Sequence, residues 1–147
     1  MEQQLAVGAV VRRGRDVLLV SEDVDAETVW ALPGGAVGAG EPLLERVARE
    51  AGFAAVTGER MLWVARYTAG GVRYETLGFE VTGVGAHDGS GEWVHLTEAV
   101  RRLERMWFAP IREPAVAYLT GRARVATLWT WAELDAEPVT VPAVRPA

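Results

Sequence analysis

Residues 34–53 read GGAVGAGEPLLERVAREAGF, and this stretch gathers side chains suited to metal and phosphate chemistry. Glu41 and Glu50 offer carboxylate oxygens of the kind that Mg²⁺ and Mn²⁺ take as ligands. Arg46 and Arg49 offer guanidinium forks that match phosphate oxygens. Glu45 is less useful. Five residues before Glu50, it lies about 140° away around a helix, so the two cannot easily share an ion. Taken alone, Gly34, Gly35, Gly38 and Gly40 read as a flexible turn.

The spacing changes that reading. Gly35, five residues, Glu41, seven residues, then Arg49 and Glu50 stand in one register, preceded by Trp30, Leu32, Pro33 and Gly34. The stretch resembles the signature of the Nudix hydrolases, G-x5-E-x7-R-E-U-x-E-E-x-G-U, where U is aliphatic or aromatic. That resemblance implies an α+β fold, a Nudix-type α/β/α sandwich with a mixed central sheet. It also implies hydrolysis of a nucleoside diphosphate linked to another group. Glu50 and Glu41 would be the catalytic and metal-binding residues, with Mg²⁺ or Mn²⁺ as cofactor. Gly34, Gly35, Arg49, Arg46 and Arg66 would contact the ligand, and Glu41 would pair with Arg49 to orient loop and helix.

The second half of the signature departs. After Glu50 the chain has only Ala51, Gly52 and Phe53, as if U-x-E-E were missing. In the family the Glu of the Arg-Glu pair and the two later Glu project from one helix face, at spacings of three and four. Anchoring on Gly52-Phe53 instead places Arg46, Arg49 and Glu50 at the three ligand positions, with Arg46 able to pair with Glu50 four residues on. Either register keeps a single carboxylate. If metal assistance supplies roughly 4 to 6 kcal/mol, its loss costs about a thousandfold or more in rate. The expectation is therefore weakly bound metal and weak or absent hydrolysis, the alternative being an active enzyme with a rearranged metal site or a loop carboxylate. Removing four residues shortens a helix by about 6 Å and rotates the downstream chain by about 40°, so the buried stripe stays nearly in phase.

Other candidates have weaker patterns. His87, Asp88 and Glu92 fall where some Nudix relatives place a catalytic base, and otherwise read as an exposed polar loop. Trp30 and Trp107 are candidates for stacking a base, whereas most tryptophans read as core. Trp129 and Trp131 share one side of a late strand, as a homodimer contact or as packing on the parent domain. Arg101, Arg102 and Arg105 read as a solvated helix face.

Composition bounds the rest. The 147 residues suit one domain, absent cysteine excludes disulfides and thiolate sites, and a net charge of -5 with no lysine argues against a nucleic-acid partner. No apolar run suggests a membrane span or signal peptide, so the expected place is the cytoplasm and the expected partner a nucleotide-type small molecule.

The elements that must hold the motif are set by periodicity. LAVGAVVRRGRDVLLVSE predicts a hairpin, and VWALPGGAVGAGEP a loop. Pro42 opens a helix over 42–51, with Leu43, Leu44, Val47 and Ala48 inward and Gly52 at its stop. RMLWVARYTAG and VRYETLGFEVTGV predict an antiparallel pair about Gly70-Gly71. EWVHL predicts a strand, Thr97 a cap for the helix EAVRRLERM, and REPAVAYLTG a last helix. The expected division is a Nudix-like domain over 1–121 and an extension over 122–147, a possible strand followed by a loose tail.

Overall fold

Alternation along the first strand sets the layers of the computed structural model, which describes residues 2–147. In β1 (Glu2–Arg13), Val7, Ala9 and Val11 face one apolar cluster and Val10 the other. Period two requires this of a strand buried on both faces. β2 (Asp16–Val24) repeats the pattern, with Leu18 on the first side and Val17 and Leu19 on the second. The helix α1 (Leu43–Ala51) covers the first face; α2 (Leu96–Leu103) and α3 (Ala109–Leu119) cover the second. The architecture is α+β, a mixed sheet between helices.

The hairpin between β1 and β2 is real but brief. Arg12 pairs with Val17 and Arg13 with Asp16, whereas the earlier part of β1 runs parallel to β6 (Val72–Val84) and antiparallel to β4 (Gly34–Val37). VWALPGGAVGAGEP is not the loop its glycines suggest. β3 (Glu27–Ala31) pairs with β2, and β4 lies against β1 with Gly34 opposite Gly8. A Cβ on Gly34 would overlap the Val7 carbonyl, so here glycine permits close strand approach.

β5 (Ala55–Ala69) and β6 form the expected pair around Gly70-Gly71. A register shift at Met61 to Trp63 lets the consecutive Leu62 and Trp63 both enter the second cluster. β7 (Glu92–His95) joins β2. The cap of α2 is His95 rather than Thr97: its ring accepts from the Thr97 N–H at 3.3 Å, and the helix starts at Leu96. α3 starts at Ala109, before the expected Arg112, since Pro110 suits a first turn.

The expected late strand is β8 (Thr127–Thr130), which runs parallel to β5; the segment after it is not loose throughout, since β9 (Val139–Val141) pairs with β8. Trp129 and Trp131, 4% and 3% exposed, stack on each other within the second cluster. They pack on their own chain. No helix among the described residues is long and apolar enough to cross a membrane.

Candidate functional site

α1 forms where the pattern predicts. Val47 and Ala51, four apart, are fully buried in the first cluster, with Leu43 and Leu44 packed at its margin. Its opposite face carries the charges. Arg49 holds Glu41 at 2.8 Å, and Glu41 also accepts from the Gly38 N–H at 3.3 Å, which fastens the loop to the helix. The bonds from Arg49 and then Gly38 hold the Glu41 carboxyl below the usual glutamate range. Arg46 pairs with Glu50 at 3.2 Å and lies against Gly35, with its Nε buried and unpartnered.

The helix then stops abruptly. Gly52 turns the chain at φ 83°, and the N–H groups of Gly52 and Phe53 both donate to the Ala48 carbonyl. The last carbonyls are taken by a distant segment: His87 Nε2 donates to Ala51 at 2.8 Å, and the Asp88 N–H donates to Gly52 at 3.0 Å. A further helical turn would need these same carbonyls. The loop after β6 thus closes the helix where the family signature would continue it.

That arrangement corrects the exposed-loop reading of His87. Its ring sits between Phe53 and Trp93, with centroids at 4.9 and 5.4 Å, and its Nδ1 accepts from the Gly89 N–H at 3.3 Å. Both nitrogens are engaged, as a neutral ring allows, so neither is placed to take a proton from water. The Asp88 carboxyl is held below the usual range by its bonds to Ser90, whose backbone N–H lies 2.7 Å away. Glu92 is paired with Arg102. Arg102 also lies over the Trp30 ring, 4.5 Å from its centroid, so it is not part of a solvated face.

Two adjoining cavities open beside this helix. One, of about 480 Å³, is lined by Glu50 together with Glu22, Leu32, Gly34, Ser90 and Met106. The other, of about 280 Å³, is apolar: Gly34 and Gly35 meet Trp30, Trp63, Tyr67 and Met106 there. Burial, and then the neighbouring Tyr74, push the Tyr67 hydroxyl above its ordinary range. Trp107, 73% exposed, stands on the chain between Met106 and Pro110 of this wall. Arg66 lies elsewhere, bound to Glu75 at 2.7 Å in a neighbouring cavity that also holds Arg73.

Glu41, Arg46, Arg49, Glu50, Gly34 and Gly35 therefore cluster around one helix face and loop, and Arg66 does not join them. Glu22, shared by both cavities, escaped sequence reasoning because an acid near a strand end carries no periodic signal. Gly8, in the wall of the apolar cavity, did leave a signal: an isolated glycine inside a strand pattern marks a close approach or an open space.

The residues do not fit the multi-carboxylate metal site that the signature implies. Among the described residues no group of three or more His, Asp or Glu side chains converges as a metal site. Glu50, the one carboxylate retained at a ligand position of the helix, holds the Arg46 guanidinium, and Glu41 holds Arg49 as the signature implies.

No family model matches the sequence, and no curated protein matches it. Solved structures do match the fold. A Nudix hydrolase from Nitrosomonas europaea superposes with a TM-score of 0.67 at 18% identity, over 90% of this chain and 81% of that one. A MutT protein from Bacillus halodurans gives 0.59 at 18% identity, over 95% and 99%. A UDP-X diphosphatase gives 0.59 at 20% identity, over 87% and 68%. The chain has the Nudix hydrolase fold.

Proposed function

We propose that this protein recognises a nucleoside diphosphate-linked compound at α1 and the loop before it, and that metal-dependent hydrolysis of that compound is weak or absent. In this reading Gly34 and Gly35 let the backbone approach the ligand, and Arg46 and Arg49 face its phosphates. Arg66, held by Glu75, stands outside it. The fold shared with Nudix hydrolases supports the ligand class. The observation that carries the impaired reading is the pairing of Glu50 with Arg46, at the one position of the helix where a carboxylate ligand is retained. A single carboxylate has little with which to offset the desolvation of Mg²⁺, which gives up its waters reluctantly.

A second reading has its own observation. Glu22 and Glu50 line the same cavity, from β2 and α1 respectively, so a rearranged site built on these two acids would support an active pyrophosphohydrolase. One experiment separates the two. Turnover is measured with Mg²⁺ or Mn²⁺ over nucleoside triphosphates, nucleotide sugars, ADP-ribose and dinucleotides, alongside calorimetric binding of the same compounds. The first reading expects binding, with turnover about a thousandfold below a usual enzyme rate of about 10 per second. Turnover near 1 per second or faster, lost in both Glu22→Gln and Glu50→Gln, overturns it in favour of the second.

A further inference from the structure

Gly8 sits mid-strand in β1, opposite Gly34 of β4 on one side and Gly78 of β6 on the other. The flanking two have local reasons to be glycine: a Cβ on Gly34 would overlap the Val7 carbonyl, and one on Gly78 would overlap the Trp63 indole. Gly8 has neither reason. Its φ is not left-handed, and a Cβ there would meet nothing within 4 Å. Glycine inside a strand loses backbone entropy and packs nothing, so folding alone favours a larger residue at this position. The space above Gly8 is the apolar cavity of about 280 Å³, walled by Trp30, Trp63, Tyr67, Leu103, Met106 and Ile111. Interiors are otherwise close-packed.

We propose that this cavity receives an alkyl or aryl group, the one linked through the diphosphate to the nucleoside, and that Gly8 sets its depth. The proposal rests on the reading of α1 as the diphosphate end. The wall chemistry selects the group. A nucleobase carries donors and acceptors along its edge, and burying them unmatched opposes binding. Here the Arg112 guanidinium is already bound to Glu113 and to the Met106 carbonyl, and Glu22 lies where the two cavities meet. The wall includes no asparagine, glutamine, serine or histidine; besides Glu22 and Arg112, its side-chain polar groups are the hydroxyls of Tyr67 and Thr76 and the indole N–H groups of Trp30 and Trp63, set among aromatic and aliphatic surface. An apolar chain asks for no polar partner. Because Glu22, Ala31, Leu32, Gly34 and Met106 border both cavities, one ligand can place its apolar end over Gly8 and its anionic end beside α1.

The test is calorimetry on the intact protein with butyl, hexyl and octyl diphosphate, the corresponding alcohols, and ADP. Each buried methylene is expected to tighten binding about three- to fourfold until the cavity fills. Octyl diphosphate should then outbind ADP by about tenfold or more. Gly8→Val, whose added methyls enter open space, should remove the chain-length dependence without lowering the melting temperature; Gly8→Ala should reduce it, and serves if the valine variant fails to fold. Affinity independent of chain length, or a dependence unchanged in a folded Gly8→Val, overturns the proposal. So does ADP outbinding octyl diphosphate and losing affinity in Gly8→Val, which would give the cavity to the base. If chain length matters but the diphosphates bind no better than the alcohols, the cavity assignment stands and the α1 reading falls.

Discussion

The two ends of α1 are fastened by different parts of the chain. At its start the partner is local: Glu41 reaches back to Gly38 and forward to Arg49, within a span of a dozen residues. At its finish the partners are far away in sequence, with His87 and Asp88 bonding the carbonyls of Ala51 and Gly52. The first end keeps the geometry that the signature implies, and the second replaces a helical turn with a loop from beyond β6. Four residues can therefore be absent without leaving helix carbonyls unpaired in the interior, which would otherwise cost about 1 to 3 kcal/mol each.

The largest expected effect comes from undoing that replacement. Inserting Leu-Arg-Glu-Glu after Glu50 adds about 6 Å of helix with a phase change of about 40° and restores three carboxylates at helical spacing. Metal-dependent hydrolysis should rise about a thousandfold over the native protein. The new turn must displace His87 and Asp88, so circular dichroism and thermal melting come first. A folded insertion variant with native turnover would show that the missing turn does not limit the chemistry.

A smaller effect tests the distant partner. Gly52→Ala forces a side chain into φ 83° and toward the Asp88 carboxylate. The backbone cost and the displaced loop together should amount to about 1 to 3 kcal/mol, or about 2 to 4 °C in melting temperature for each. Repeating the substitution in an Asp88→Ala background separates the two. If the added methyl displaces the loop through the Asp88 carboxylate, part of the cost disappears there. An identical cost in both backgrounds would assign it to the backbone angle at residue 52 alone.

What could be read in the sequence divides along the same line. α1 was legible because its signals are local: Pro42, the stripe at Leu43, Leu44 and Val47, and the stop at Gly52. The β5–β6 pair was legible because Gly70-Gly71 joins two β-rich runs. β4 was not, since GGAV reads as a loop until β1 lies beside it. The tail was legible in part: β8 falls within the run expected as a strand, whereas the three residues of β9 carry no pattern until β8 offers hydrogen bonds. The Glu41–Arg49 link of the candidate site was an expectation of the family resemblance. The bonding of His87 to Ala51 and the sharing of Glu22 between two cavities arise only from tertiary packing.

The smallest effect belongs to the local end. Bonds from Arg49 and then Gly38 hold the Glu41 carboxyl below the usual glutamate range. A carboxyl whose folded pKa is depressed adds stability above its unfolded pKa, and that stability is lost as pH falls through the folded value. Carboxyl-detected NMR should thus place the Glu41 midpoint below that of an ordinary glutamate, and Arg49→Gln should raise it. At neutral pH and low salt Arg49→Gln should lower the melting temperature slightly; below the Glu41 midpoint, or at about 1 M salt, the difference should vanish. The pair is exposed, so a small change is the physical expectation. A melting difference that persists in acid would mean that Arg49 acts through packing of its aliphatic stem. The start of α1 would then be fastened by something other than the ion pair that the resemblance implies.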